Sequence, residues 1–341
     1  MVIIDLDFRR KAFIMAFALL KTFLVLIVGT FSGYLCQKLI DKYHLVLPES
    51  KKEISIFLQK LGMLWFISVT YIGSLWIFKI ESMTKIVSMP FVGAVSTITG
   101  GFVAAMAAKY YHYNRIDIGS MFSCGYFANN VTLGGMICFF YLGEEGYALV
   151  PIFTFFMRLL YYGLGYPIAH MYAEDFVEQK ETIKKIIEVI KDPFFYTGVG
   201  SVLVGISLNL SSLKRPEIYT IINQILIPLT TFILLFSVGL TFKFSHVSQY
   251  LKECFIISLV KFIVVPATIL VMALLLDYQS ISQGLPLKVS LILSAMPVAF
   301  NSVIAANIYN LNVDLVNSCW IFTTFAVLFV LPLLLFVINL F

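Results

Sequence analysis

The sequence predicts an all-α integral membrane protein whose ten transmembrane helices form two inverted five-helix repeats. Three observations predict it. Of 341 residues, 60% are hydrophobic and 13% charged, against roughly 25% charged in an ordinary soluble domain. The apolar runs repeatedly exceed the roughly 18 residues that separate a spanning helix from a core helix. The most charged stretch lies near the middle of the chain and leaves five such runs on either side.

In order, the runs lie at 13–36, 56–78, 86–108, 119–142 and 147–171, then at 194–210, 218–242, 255–276, 289–309 and 315–340. The first follows Arg9, Arg10 and Lys11, as in a signal peptide, but stays apolar past Lys21 to Ile40. That is too long for a cleaved leader, so a retained helix is expected. Residues 1–172 form the first repeat and 193–341 the second. In the connection 173–192, Phe176, Ile183, Ile186, Ile187 and Ile190 recur at helical spacing, which predicts an amphipathic helix along the cytoplasmic interface. An odd number of spans per half makes the second half enter from the opposite face. The strings Ile152-Phe153-Thr154-Phe155-Phe156 and Ile321-Phe322-Thr323-Thr324-Phe325 echo each other at matching places, as chance also produces in a Phe-rich chain.

The net charge of +5 comes from Lys and Arg scattered between apolar runs, the pattern of loop anchors rather than of a nucleic-acid surface. The side holding the central connection carries twelve of them and the opposite side eight. This places the protein in the cell membrane with both termini outside the cytoplasm, although Arg9-Arg10-Lys11 argues the other way. Five cysteines lie in or beside apolar segments without metal-ligand spacing and read as packing residues.

Two runs carry helix-breaking polar clusters where a continuous helix should cross the membrane. In the fourth, Asn129, Asn130 and Thr132 precede Gly134 and Gly135; glycine weakens a helix by about 1 kcal/mol relative to alanine, and asparagine competes for backbone groups. In the ninth, Pro297 lies four residues before Asn301, which precedes Ser302. Proline lacks an N–H and clashes with the carbonyl of Leu293, so the ladder should break where Asn301 could cap the next half-helix. Any one proline more often means a packing kink. The pairing points to a site, because broken backbone at membrane depth must be buried in protein or line a wet cavity.

The substrate's sign follows from charge placement. No Asp or Glu falls at mid-membrane by these spans, whereas Lys21, Lys60, Arg158 and Lys261 fall within or beside apolar runs. Lys21 and Lys60, near span ends, read as snorkelling side chains. Arg158 and Lys261 are deeper and are candidates for an anion-binding or gating charge. Half-helix N-termini add positive potential, so a small organic anion is the expected partner.

The ninth-run motif Met296, Pro297, Ala299, Asn301, Tyr309 and Asp314, with Asn129, Gly134 and Gly143-Glu144-Glu145-Gly146 in the fourth, resembles the auxin efflux carrier family. Val131 and Met136 depart from its pattern, replacing a glycine and a proline. Weaker likenesses at Gly239, Lys261 and Pro266 cover most of the second half. The resemblance implies the bile acid sodium symporter-like fold, with helices four and nine crossing at the substrate site. It implies Asn129, Pro297 and Asn301 at that crossing, with a carboxylate as substrate moved by an elevator-type alternating-access cycle. A homodimer is the family-level expectation.

The competing functions are a sodium-coupled importer of the bile acid type, for which Asn129 and Asn130 are the obvious ligands, and a non-transporting membrane receptor. An intramembrane enzyme lacks its motifs, since the four histidines sit in loops or near a span end without His-Glu-x-x-His or Gly-x-Ser-x-Gly spacing. No cofactor or metal is expected, and proton or sodium remain the candidate coupling ions.

Overall fold

In hydrocarbon a backbone must satisfy its own hydrogen bonds, and a helix does so within one segment. The computed structural model describes residues 2–43, 47–78, 86–173, 193–211, 213–240 and 247–340, and among these the protein is helical, without strands. In order these are α1 (Val2–Tyr43), α2 (Pro48–Lys60), α3 (Ile67–Trp76), α4 (Met89–Tyr110) and α5 (Arg115–Tyr126). There follow α6 (Gly135–Phe153), α7 (Met157–Leu160), α8 (Tyr166–Met171), α9 (Pro193–Leu210) and α10 (Ile218–Leu240). The series ends with α11 (Leu251–Leu259), α12 (Val265–Leu275), α13 (Leu285–Ser294), α14 (Phe300–Ile308) and α15 (Val313–Ile338).

Joined where they continue into one another, these make seven helices long and apolar enough to cross a membrane among the described residues, plus the shorter apolar Tyr196–Leu210. One of the seven, Asn130–Met171, has 42 residues and would be about 63 Å long if straight, twice the hydrocarbon thickness of about 30 Å. It reverses at Gly143, whose φ of +72° suits a residue without Cβ. Four wide π turns, Leu61–Phe66, Asn130–Gly134, Tyr161–Gly165 and Val260–Val264, join the shorter pieces.

The helices pack in two groups. In one, α1 lies along α10 while α3 lies along α9 and α10; in the other, α4, α5 and α11 to α15 pack together, and α6 touches both. Glycine sets the closest approach beside the site. A Cβ on Gly100 of α4 would stand 2.3 Å from the Gly125 carbonyl of α5, so only two bare backbones fit there.

Several expectations shift. The fourth run breaks at 127–129, just before Asn130, and its first half starts at Arg115 rather than 119. The ninth run spans 285–308, its first half ending before Pro297. The fifth is interrupted at 154–156, where α6 gives way to α7. The first helix extends well beyond 13–36 in both directions, because a helix need not stop where hydrophobicity does. Residues 174–192, most of the predicted amphipathic connection, lie outside the described residues. The cysteines are free, and all but Cys36 are buried.

Candidate functional site

Helix α5 ends at Tyr126 and α13 at Ser294, and the extended residues after each meet. Ala128 and Val298 form an isolated antiparallel bridge. The Asn129 N–H donates to the Pro297 carbonyl at 3.0 Å, and the Ala299 N–H to the Phe127 carbonyl at 3.1 Å. Two unwound backbones thus satisfy each other, as two short β-strands would.

Side chains satisfy much of the remainder. The Tyr161 hydroxyl takes the Ala128 N–H at 3.2 Å and donates to the Ala128 carbonyl at 3.2 Å. Thr323 accepts from the Val298 N–H at 3.2 Å. Lys261, 3% exposed, donates to the Gly125 and Phe127 carbonyls at 2.6 and 3.1 Å. Its ammonium therefore sits on the negative end of α5.

The second halves begin at the junction. The Asn129 side-chain carbonyl accepts from the Thr132 hydroxyl and, at 3.4 Å, from the Leu133 N–H, so this asparagine caps the run that becomes α6. The expected counterpart differs, because Ala299 is the N-cap of α14. Asn301 lies inside the first turn and donates to the Tyr166 hydroxyl at 3.2 Å. The break already lies at 295–299, so the cap position falls two residues before Asn301.

A cavity of about 630 Å³ opens against this junction. Of the residues singled out in the sequence, Asn129, Asn130, Thr132, Asn301 and Arg158 line it; Pro297, Gly134, Ser302 and Lys261 do not. Pro297 lends its carbonyl to the crossing. A Cβ on Gly134 would stand 2.7 Å from Leu293, so this glycine serves contact between α6 and α13. The Ser302 hydroxyl turns back to the Ala299 carbonyl at 2.6 Å, and Lys261 faces the carbonyls of α5. Position along a run was legible in the sequence; the direction of the side chain was not.

Sequence reasoning missed the tyrosines. Tyr71, Tyr161, Tyr162, Tyr166 and Tyr309 line the cavity, and the clustering of Tyr161, Tyr162 and Tyr166 within one apolar run was the available signal. Asn130 is 1% exposed; its amide nitrogen meets only the Met157 sulfur at 3.8 Å, and its side-chain oxygen accepts no hydrogen bond. Arg158 contributes a guanidinium, and no Asp or Glu is among the described lining residues. Two half-helix N-termini, amide groups and one guanidinium beside apolar and aromatic walls suit a small anion with an apolar body. Among the described residues no cluster of His, Cys, Asp or Glu could hold a metal ion.

No family model matches the sequence. The chain is 23% identical over 272 residues, 76% of its own length and 81% of the relative's, to an uncharacterized transporter of Methanothermobacter thermautotrophicus. This likeness and the long apolar helices support a multi-pass membrane transporter rather than an enzyme.

Proposed function

We propose that the protein is a secondary carrier that moves a small organic anion, a carboxylate with an apolar body, by alternating access at the junction of its fourth and ninth spans. In this reading the chain crosses the cell membrane ten times as two inverted five-helix repeats, in the manner of the auxin efflux carriers, with both termini outside the cytoplasm. The observation that carries it is the Ala128–Val298 pairing beside a cavity with Arg158 in its wall and no carboxylate among the described lining residues. Backbone held unwound at that depth is tolerated where it serves a site.

Anion binding uses the positive ends of two half-helices together with Arg158, while Asn129 and Asn301 orient the carboxylate. The tyrosine walls hold the apolar body. A rigid-body movement of the α4, α5 and α11 to α15 group against the other would then expose the junction to alternate faces. The described lining residues offer a guanidinium and no carboxylate, which favours this over a sodium-coupled importer, whose ion calls for hard oxygen ligands.

The test is flux of radiolabelled carboxylates into proteoliposomes, with and without sodium and proton gradients. Saturable flux that survives without sodium supports the proposal; flux strictly dependent on sodium favours the importer, and no flux of any anion overturns the carrier reading.

A further inference from the structure

A specific contact lies beyond one end of the cavity. Along α2 and α3 its wall runs from Gln59 to Tyr71, and beyond Tyr71 the helices are tied together. The Tyr147 hydroxyl of α6 bonds Thr70 at 2.9 Å. One step further out, Arg215, in the turn between α9 and α10, donates to the Gly73 carbonyl at 3.0 Å and to Glu144 at 2.6 Å. Its other nitrogen reaches Thr220 at 2.7 Å.

Arg215 and Glu144 are little exposed, with side-chain values of 9% and 14%. Gly73 and Thr220 belong to the same packing group as Arg215, whereas Glu144 belongs to α6 and opens its returning arm just after the reversal at Gly143. The Glu144 contact therefore carries the pair across from one group to the helix that leads to the junction. It is single, since one carboxylate oxygen bonds Arg215 while the other, although buried, accepts no hydrogen bond. A fork-to-fork arginine–carboxylate pair uses both oxygens and is stronger. A one-oxygen contact suits a link that breaks and reforms.

We propose that Arg215 and Glu144 form the gate that closes the cavity on the Glu144 face and that this pair must separate for the junction to open there. This rests on the carrier reading above. Neutralising the pair opens that face more often, and reversing the charges restores closure, because the pairing matters rather than the sign at either position.

The experiment reads accessibility rather than flux. In a Cys36→Ser background, Val131→Cys places a thiol on the cavity wall, and a membrane-impermeant maleimide is applied to sided vesicles from one face at a time. The expected parent labels several-fold faster from the face opposite Glu144. Combining Glu144→Gln with Arg215→Gln raises labelling from the Glu144 face several-fold, and Glu144→Arg with Arg215→Glu returns it to the parent rate. Labelling from the Glu144 face that does not respond to the neutral pair overturns the gate, even if anion flux is established. Absent anion flux with responsive labelling instead removes the carrier reading. If the neutral variant fails to accumulate, Glu144→Cys with Arg215→Cys decides. A reversible bis-thiosulfonate crosslink should hold Val131→Cys unreactive from the Glu144 face until reduced, beyond any direct capping seen when the same reagent treats Val131→Cys without the added pair. Reactivity no lower than in that control after complete crosslinking overturns the gate.

Discussion

Ala128 and Val298, 170 positions apart in the chain, face each other as an antiparallel bridge between two interrupted helical runs. The Tyr161 hydroxyl holds the backbone of one and the Thr323 hydroxyl the N–H of the other. Each side of the crossing thus rests on a hydroxyl from a neighbouring helix.

Tyr161→Phe should therefore destabilise the protein without changing its shape. It leaves the Ala128 N–H and carbonyl without their partner, at a cost of about 1–3 kcal/mol. The expected result is a lower thermal midpoint in detergent and reduced flux, measured by intrinsic fluorescence and proteoliposome uptake. An unchanged midpoint would mean that the hydroxyl does not support the crossing.

Lys261→Met should also weaken the junction, since the ammonium is bonded to two carbonyls at the end of α5. Hydrogen bonds to a charged group contribute about 1.5–3 kcal/mol each, offset in part by relief from burying the charge. A net loss of about 1–3 kcal/mol is expected from these terms, with Lys261→Arg intermediate. Because Lys261 does not line the cavity, substrate affinity in protein that still folds should change little, and a large rise in KM with an unchanged thermal midpoint would argue for direct contact.

Arg158→Gln should act on affinity. Removing a lining cation that pairs with the substrate is expected to raise KM about tenfold, equivalent to about 1.4 kcal/mol, while Arg158→Lys retains part of the effect. Equal KM values for Arg158→Gln and the parent would exclude the guanidinium from binding.

Asn301→Ala removes the donor to Tyr166 and an amide from the cavity wall. The carrier reading predicts flux reduced at least several-fold with the thermal midpoint within a few degrees of the parent. Flux equal to the parent would detach Asn301 from the site.

Gly100→Ala tests the packing beneath the crossing. The added methyl would stand 2.3 Å from the Gly125 carbonyl, so α4 and α5 must separate; overpacking of this kind costs about 1–3 kcal/mol. A depressed thermal midpoint, together with Val131→Cys made more reactive in the same background, is the expected pair of observations.

Much of this was legible in the residues. Apolar length located the helices, because solvation by lipid depends on composition summed over a segment. The clusters around Asn129 and Pro297 located both breaks to within a few residues, because glycine, asparagine and proline weaken a helix locally whatever surrounds it. Asn301 and Arg158 stood out in the residues as polar groups within apolar runs, and both line the cavity.

What the sequence by itself determined is therefore a set of one-dimensional quantities: which segments prefer lipid, and where a helix cannot continue. Only the tertiary structure decided which breaks meet and which way each side chain points. It seated Lys261 on the carbonyls of α5 instead of in the cavity, made Ala299 rather than Asn301 the cap, and brought Arg215 to Glu144. The physical reason is that direction around a helix and pairing between distant segments are settled by competition among many weak contacts. Each of those contacts exists only once the helices have packed.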